Sequence, residues 1–99
     1  MDKDQSLRVV TNYIKDLYSF NIMSKRHLDL DINNFDMSKD RNSMLEHSHW
    51  MCEQMISQCD DYDNNIEKVM RWLGFVQGIF WTTGFYSIDK MRTDNRIGN

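Results

Sequence analysis

The sequence predicts an all-α protein, a small bundle of three to four helices with a long second helix and a central, apolar third helix. Proline is absent and only four glycines occur in 99 residues, so little in the chain breaks a helix or favours tight turns. Hydrophobic residues make up 40% of the chain and aromatic residues 12%, which is typical of a packed core. This length suits a single helical domain over residues 1–99.

The first predicted helix spans roughly Gln5 to Phe20 and is amphipathic. We expect it to bury one face and to be capped by Asp4 or Ser6. The apolar stripe repeats at three- and four-residue steps and consists of Leu7, Val10, Ile14 and Leu17, widened by Val9, Tyr13 and Tyr18.

Residues 24–59 are the region whose pattern is hardest to interpret. The run HLDLDI alternates like a strand, but its apolar residues also fit one helical face. Further on, Leu45, His49 and Cys52 repeat at helical spacing. We favour one long helix over the whole region, bent or broken near residues 36–42, although the pattern leaves its continuity open. An unbroken helix would be about 50 Å long, and its overhanging part would need a partner.

The third predicted helix begins near Asn64, which resembles a capping box with Glu67. It extends to Gly84, which is placed to end it in the left-handed conformation. Because its apolar residues cover most of the circumference, we expect it to be buried on nearly all sides. A short last helix, Ile88–Asn95, follows with Ser87 as its cap.

A stripe of small residues runs along the third helix. Gly74, Gly78 and Thr82 are spaced four apart, which lets another backbone approach closely. We predict that this stripe makes a tight helix–helix contact. The sequence leaves open whether the neighbour is a helix of the same chain, a second subunit or a ligand.

The charge and hydropathy exclude several classes of function. A net charge of -3 and a pI near 5.5 argue against direct nucleic-acid binding through phosphate neutralisation. No apolar run reaches the roughly 18 residues needed to span a bilayer, and the first ten residues are polar rather than signal-like. A cytoplasmic location is therefore expected.

No set of catalytic or metal-binding residues emerges from the sequence. His49 has Cys52 and Glu53 at metal-ligand spacing, but no second pair of ligands completes a tetrahedral site. Cys52 and Cys59 would lie about 10 Å apart on one helix, too far for a disulfide. Cys52 beside His49 lacks a third group and an oxyanion donor. We therefore expect a non-enzymatic protein without metal or cofactor.

Aromatic residues, arginine and methionine are more abundant than a small core requires, which is typical of binding surfaces. We predict a protein–protein interaction module. Because a chain this short buries only a modest core, self-association would help to stabilise it, and we expect a homo-oligomer. The predicted partner-binding residues are Trp50, Met51, Met55, Arg71 and Trp81.

An alternative function is the sequestration of a nucleotide or second messenger between subunits. An arginine and an aromatic side chain beside a glycine-floored groove would hold a phosphate and a base. The residues that would supply these contacts are Arg71, Trp81, Lys25 and Arg26.

The segment RWLGFVQGIFWTTGFYSIDKMRTDNR, residues 71–96, resembles the C-terminal region of small, uncharacterised bacteriophage proteins. In those proteins an Arg-Trp-aliphatic-Gly-aromatic-aliphatic-Gln-Gly run precedes a short helix and a polar tail. The resemblance covers about a quarter of the chain and implies an origin rather than an activity. By analogy with phage proteins of this size, which commonly disable a host or anti-phage defence component or act as assembly partners, we expect such an inhibitor in the host cytoplasm.

Overall fold

The computed structural model describes residues 1–31, 33 and 35–95, and this part of the chain contains four α-helices and no strand. The all-α class is therefore confirmed. None of the described helices is long and apolar enough to cross a membrane. The elements are α1 (Lys3–Ser19), α2 (Met37–Gln58), a 3₁₀ turn (Cys59–Asp61), α3 (Tyr62–Thr82) and α4 (Ile88–Asn95).

Helix α1 begins earlier than expected, because Asp2 caps it rather than Asp4 or Ser6. The Asp2 carboxylate accepts a hydrogen bond from the Gln5 backbone N–H at 2.8 Å. The Gln5 side chain accepts one from the Asp2 N–H at 2.9 Å, which completes a capping box. Ser6 is instead buried, and its hydroxyl lies 2.9 Å from that of Tyr62 on α3.

Helix α2 has 22 residues and is the longest described helix, which confirms the long second helix. It begins only at Met37, however, so the expectation that a helix also covers the residues from 24 to this point is wrong. Asp36 is its cap, and the Asp36 carboxylate accepts a hydrogen bond from the Ser38 N–H at 3.1 Å. The described apolar residues upstream of this cap, which also fit one helical face in the sequence, are therefore not part of a helix.

The described part of residues 23–36 is irregular because its backbone bonds to α2. The Lys25 N–H donates to the Glu46 carbonyl at 3.2 Å, and the His27 N–H donates to Nδ1 of His47 at 2.9 Å. These donors are thereby unavailable to a local helix. The strand-like alternation of HLDLDI likewise gives no strand in the described residues.

The end of α3 follows the sequence more closely than its start. The helix starts at Tyr62 with Asp61 as its N-cap, so Asn64 lies inside the first turn and the expectation that it caps the helix is wrong. Gly84 has φ of 74°, which confirms the left-handed terminator. The Phe85 N–H donates to the Phe80 carbonyl at 2.8 Å, the long-range bond of a Schellman motif.

Helix α4 has the predicted range, and the Ser87 hydroxyl accepts a hydrogen bond from the Lys90 N–H at 3.1 Å. Met91 inserts into the core from this helix. The Asn95 side chain accepts a hydrogen bond from Gln77 of α3 at 2.8 Å. These contacts hold α4 against one side of α3.

Helix α2 packs against both α1 and α3, whereas α1 and α3 contact each other less. Tyr13 of α1 and Phe80 of α3 are fully buried, and their ring centroids lie 5.0 Å apart in an edge-to-face arrangement. The rest of the core is mainly aliphatic and sulfur-containing, and includes Val9, Val10, Leu17, Leu45, Cys52, Met55, Val69, Leu73 and Val76.

Helix α3 is buried on one side only, so the expectation that it is buried on nearly all sides is wrong. Leu73 and Phe80 are buried, but Phe75 and Trp81 are 55% and 59% exposed. The physical reason is length. Helix α4 has eight residues and spans about 12 Å, whereas α3 has 21 residues and spans about 31 Å. The short helix leaves most of that side uncovered.

Candidate interaction surface

The outer face of α3 carries exposed apolar side chains around two glycines. At about 100° per residue, its positions span roughly a third of the helix circumference. All of them are exposed, and they are Arg71, Gly74, Phe75, Gly78, Trp81 and Thr82.

The two glycines leave the middle of this face open. A Cβ added to Gly74 or Gly78 would meet no atom of the described residues within 4 Å. The predicted helix–helix contact is therefore not made within the described part of the chain, and a contact with another molecule remains a prediction. Each glycine costs an exposed helix about 0.5–1 kcal/mol relative to alanine, and no contact among these residues compensates for it.

A shallow depression of about 280 Å³ adjoins the outer face where α3 meets α4. Gly78 forms part of its lining, and Trp81 and Ile88 are its most exposed apolar residues. The Gln77 side chain, which also lines it, is held by hydrogen bonds to Tyr13 and Asn95. This depression could receive an apolar side chain of a partner.

The structure separates the predicted partner-binding residues into three groups. Arg71 and Trp81 lie on the outer face of α3. Met51 and Met55 are 6% and 0% exposed, so they belong to the core and are corrected from contact residues to packing residues. They are buried because α2 packs against both α1 and α3, which covers more of its circumference than a single stripe. Trp50 is half-buried and lies apart from the outer face.

Sequence reasoning missed two exposed members of this surface, Phe75 and Ile88. Phe75 lies one turn from both Arg71 and Gly78, so its helical spacing already places it on the same face of the helix as these two residues. Its aromatic side chain alone does not mark it as exposed, because phenylalanine is most often buried. Ile88 carries no comparable signal, because only the packing of α4 places it beside Trp81.

The residues predicted to hold a nucleotide do not converge on one site. Arg71 and Trp81 are ten residues apart on α3, which is about 15 Å along the helix axis. Arg26 lies instead over the ring of Trp50, with its guanidinium carbon 5.0 Å from the ring centroid. One base and its own phosphate would not bridge Arg71 and Trp81.

His49 and Cys52 are buried in the core. The Nδ1 of His49 donates to the Ile22 carbonyl at 2.8 Å, and no described residue bonds to its Nε2. Burial and, to a smaller extent, the nearby Glu53 carboxylate raise the pKa of the Cys52 thiol to about 12. The thiol therefore stays protonated and unreactive near neutral pH.

Within the described residues, no cluster of three or more His, Cys, Asp or Glu side chains could hold a metal ion. Comparison with known protein families, with curated proteins and with solved structures gives no match. The resemblance to bacteriophage proteins remains a prediction.

Proposed function

We infer that this protein acts without catalysis, by binding another protein through the outer face of α3 and the adjoining depression. The inference depends mainly on two observations. Phe75 and Trp81 are both more than half exposed, and the neighbouring Gly74 and Gly78 leave space above the helix backbone because a Cβ added there would contact no described atom. Isolated exposed apolar residues are ordinary, but neighbouring ones mark interaction sites.

The chemistry of this face suits a helix of the partner. With only hydrogen on Gly74 and Gly78, a second backbone can approach α3 closely, as in helix-in-groove recognition. Trp81 would anchor the contact, and Arg71 at the other end would bind a carboxylate. Gly74 and Gly78 destabilise the helix and lie at solvent-exposed positions. Their presence there supports a role in binding another molecule rather than in folding.

The support for a particular class of partner is less direct than the support for the binding surface itself. A second copy of the chain would satisfy the same face, in keeping with the expectation of self-association. The resemblance of residues 71–96 to phage proteins supports a host or anti-phage defence component as the partner, and a cytoplasmic site of action. Sequestration of a nucleotide between subunits is the competing function.

The test begins with the solution mass of the chain, measured by light scattering over a range of concentrations. If two copies associate through this face, the wild type will exceed 12.0 kDa and Gly78→Gln will return to it. Glutamine is a good helix former, so it adds bulk without disturbing α3. Thr11→Gln places the same side chain on the exposed side of α1 and serves as the matched control.

If the wild type is monomeric, capture from a bacterial lysate replaces the mass measurement. A genuine partner is bound by the wild type and Thr11→Gln and is lost with Gly78→Gln. Trp81→Ala should also weaken the binding of this partner about 30-fold, which corresponds to the loss of about 2 kcal/mol of binding free energy at a hot-spot residue. A monomer that captures no protein in this Gly78-dependent way overturns the inference. A nucleotide that stabilises the fold by about 2.7 kcal/mol at 100 times its Kd would favour the competing function.

A further inference from the structure

A second surface, which meets the outer face of α3 at Phe75, pairs two cations with two tryptophans. The Arg26 guanidinium lies 5.0 Å from the ring centroid of Trp50, and the Lys68 ammonium lies 5.1 Å from that of Trp72. The two indole rings have centroids 6.1 Å apart and are tilted by 34°. We call these four residues the cation–indole cluster. It joins α2, α3 and the irregular segment that precedes α2.

The two cations of the cluster lack carboxylate partners within the described residues. The nearby carboxylates of α2 are engaged by other donors. Glu46 lies 2.8 Å from Nε2 of His27, and Glu53 accepts a hydrogen bond from the Ser24 hydroxyl. Neither cation forms an ion pair with these carboxylates, so a carboxylate of a partner could bind to Arg26 or Lys68.

An apolar groove of about 290 Å³ continues from the cluster. His47 connects the two, because it lines the groove and its ring lies 5.4 Å from that of Trp50. Along α3 the surface continues from Trp72 by one-turn steps to Phe75 and Ile79. The main apolar lining is Leu30, Phe35, Met44, Phe75 and Ile79.

We propose that the cation–indole cluster and this groove together bind an extended segment of another protein in which acidic residues adjoin large apolar ones. The carboxylates would contact Arg26 and Lys68, and the apolar side chains would occupy the groove. The proposal goes beyond the function inferred above, since it assigns a second surface that does not include Trp81, Gly74 or Gly78.

A peptide fits this surface better than a single-stranded nucleic acid. Base stacking needs free aromatic faces, but Arg26 and His47 already contact the ring of Trp50, and Lys68 covers that of Trp72. Carboxylates can bind the outer side of the two cations without displacing them from the rings.

The test measures the fluorescence anisotropy of a labelled ten-residue peptide in which glutamates adjoin leucine and phenylalanine. The wild type is expected to bind it, and to bind less when the glutamates become glutamines or the apolar residues become serines. Arg26→Gln and Lys68→Gln should each weaken binding of the peptide about threefold, as expected for solvent-exposed ion pairs. The double variant should weaken it about tenfold. Lys15→Gln, which removes an exposed charge from α1, is the matched control.

The apolar end is tested by Phe35→Ala, which should weaken binding severalfold. Leu28→Ala removes a more exposed apolar side chain that does not line the groove and should leave it unchanged. Thermal unfolding verifies that each variant is folded. Trp81→Ala should bind the peptide normally, which keeps this result separate from the outer face of α3. Absence of binding up to about 1 mM, equal weakening by Lys15→Gln, or tighter binding of oligo-dT than of the peptide would each overturn the proposal.

Discussion

Phe80 and Trp81 are neighbours in the sequence, but they belong to opposite sides of α3. Phe80 is fully buried and contacts Tyr13, Phe85 and Tyr86, with ring centroids 5.0–5.1 Å apart. Trp81 is 59% exposed. The inner face of the helix therefore contributes to the folding of this chain, whereas the outer face contributes little to it. Hydrophobicity alone does not distinguish the two, because both residues are large and aromatic.

The largest expected effect comes from the inner face. Phe80→Ala should lower the free energy of unfolding by about 3–5 kcal/mol, because it leaves a cavity where three aromatic rings meet. The measurement is urea unfolding followed by circular dichroism. A loss of under about 1 kcal/mol would show that Phe80 is not part of a close-packed core.

Replacing a glycine in the middle of the outer face of α3 should stabilise the protein. Gly78→Ala is expected to raise the free energy of unfolding by about 0.5–1 kcal/mol, since a methyl group meets no atom within 4 Å and alanine favours the helix. Gly84→Ala is the contrasting control. At φ of 74° a Cβ is strained, so the same substitution there should destabilise the protein. Equal effects at the two positions would contradict this account.

The free energy of unfolding should depend on pH through His47, which lies between the buried core and the exposed surface. The pKa of His47 lies below its ordinary value because burial disfavours the charged form, and because His27 and Arg26 lie nearby. The unfolded chain therefore binds a proton here more readily than the folded one. Stability should fall as the pH drops below about 6.5, the ordinary value for histidine.

His47→Asn isolates this contribution. Asparagine can accept the hydrogen bond from the His27 N–H but does not titrate in this range. Urea midpoints at pH 7.5 and 5.5 should differ less in the variant than in the wild type. An identical pH dependence in both proteins would remove His47 as a source of acid sensitivity.

The smallest expected effect on stability is that of Trp81→Ala. We expect a change within about 0.5 kcal/mol, because the side chain is mostly in solvent and alanine is the better helix former. The same substitution should strongly weaken partner binding. A stability loss comparable to that of Phe80→Ala would place Trp81 in the core and remove the basis for an interaction surface.

Some features of the fold were readable from local sequence because they depend on local interactions. The end of α3 needs a left-handed residue, and Gly84 supplies it. The cap of α4 needs a hydroxyl three residues before an unpaired N–H, and Ser87 supplies it. The same rules predicted the apolar stripe of α1, of which Val10 and Leu17 are fully buried.

The errors arose where long-range contacts compete with a local pattern. Residues 24–36 show spacing that suits a helix or a strand, yet Lys25 and His27 give their N–H groups to α2. The assignment of Met51 and Met55 to a surface failed because neighbours on both sides bury α2. A periodic pattern reports which side chains are apolar, but it does not report how many helices will cover them.

The sequence by itself determined that the protein is helical, where α4 lies and how α3 ends, because spacing, caps and glycine geometry act within a few residues. Only the tertiary structure decided which apolar residues remain exposed. Burial depends on the positions of distant helices, and α4 is too short to cover α3. The open face with Gly74, Gly78 and Trp81, and the pairing of Arg26 and Lys68 with two tryptophans, follow from that packing.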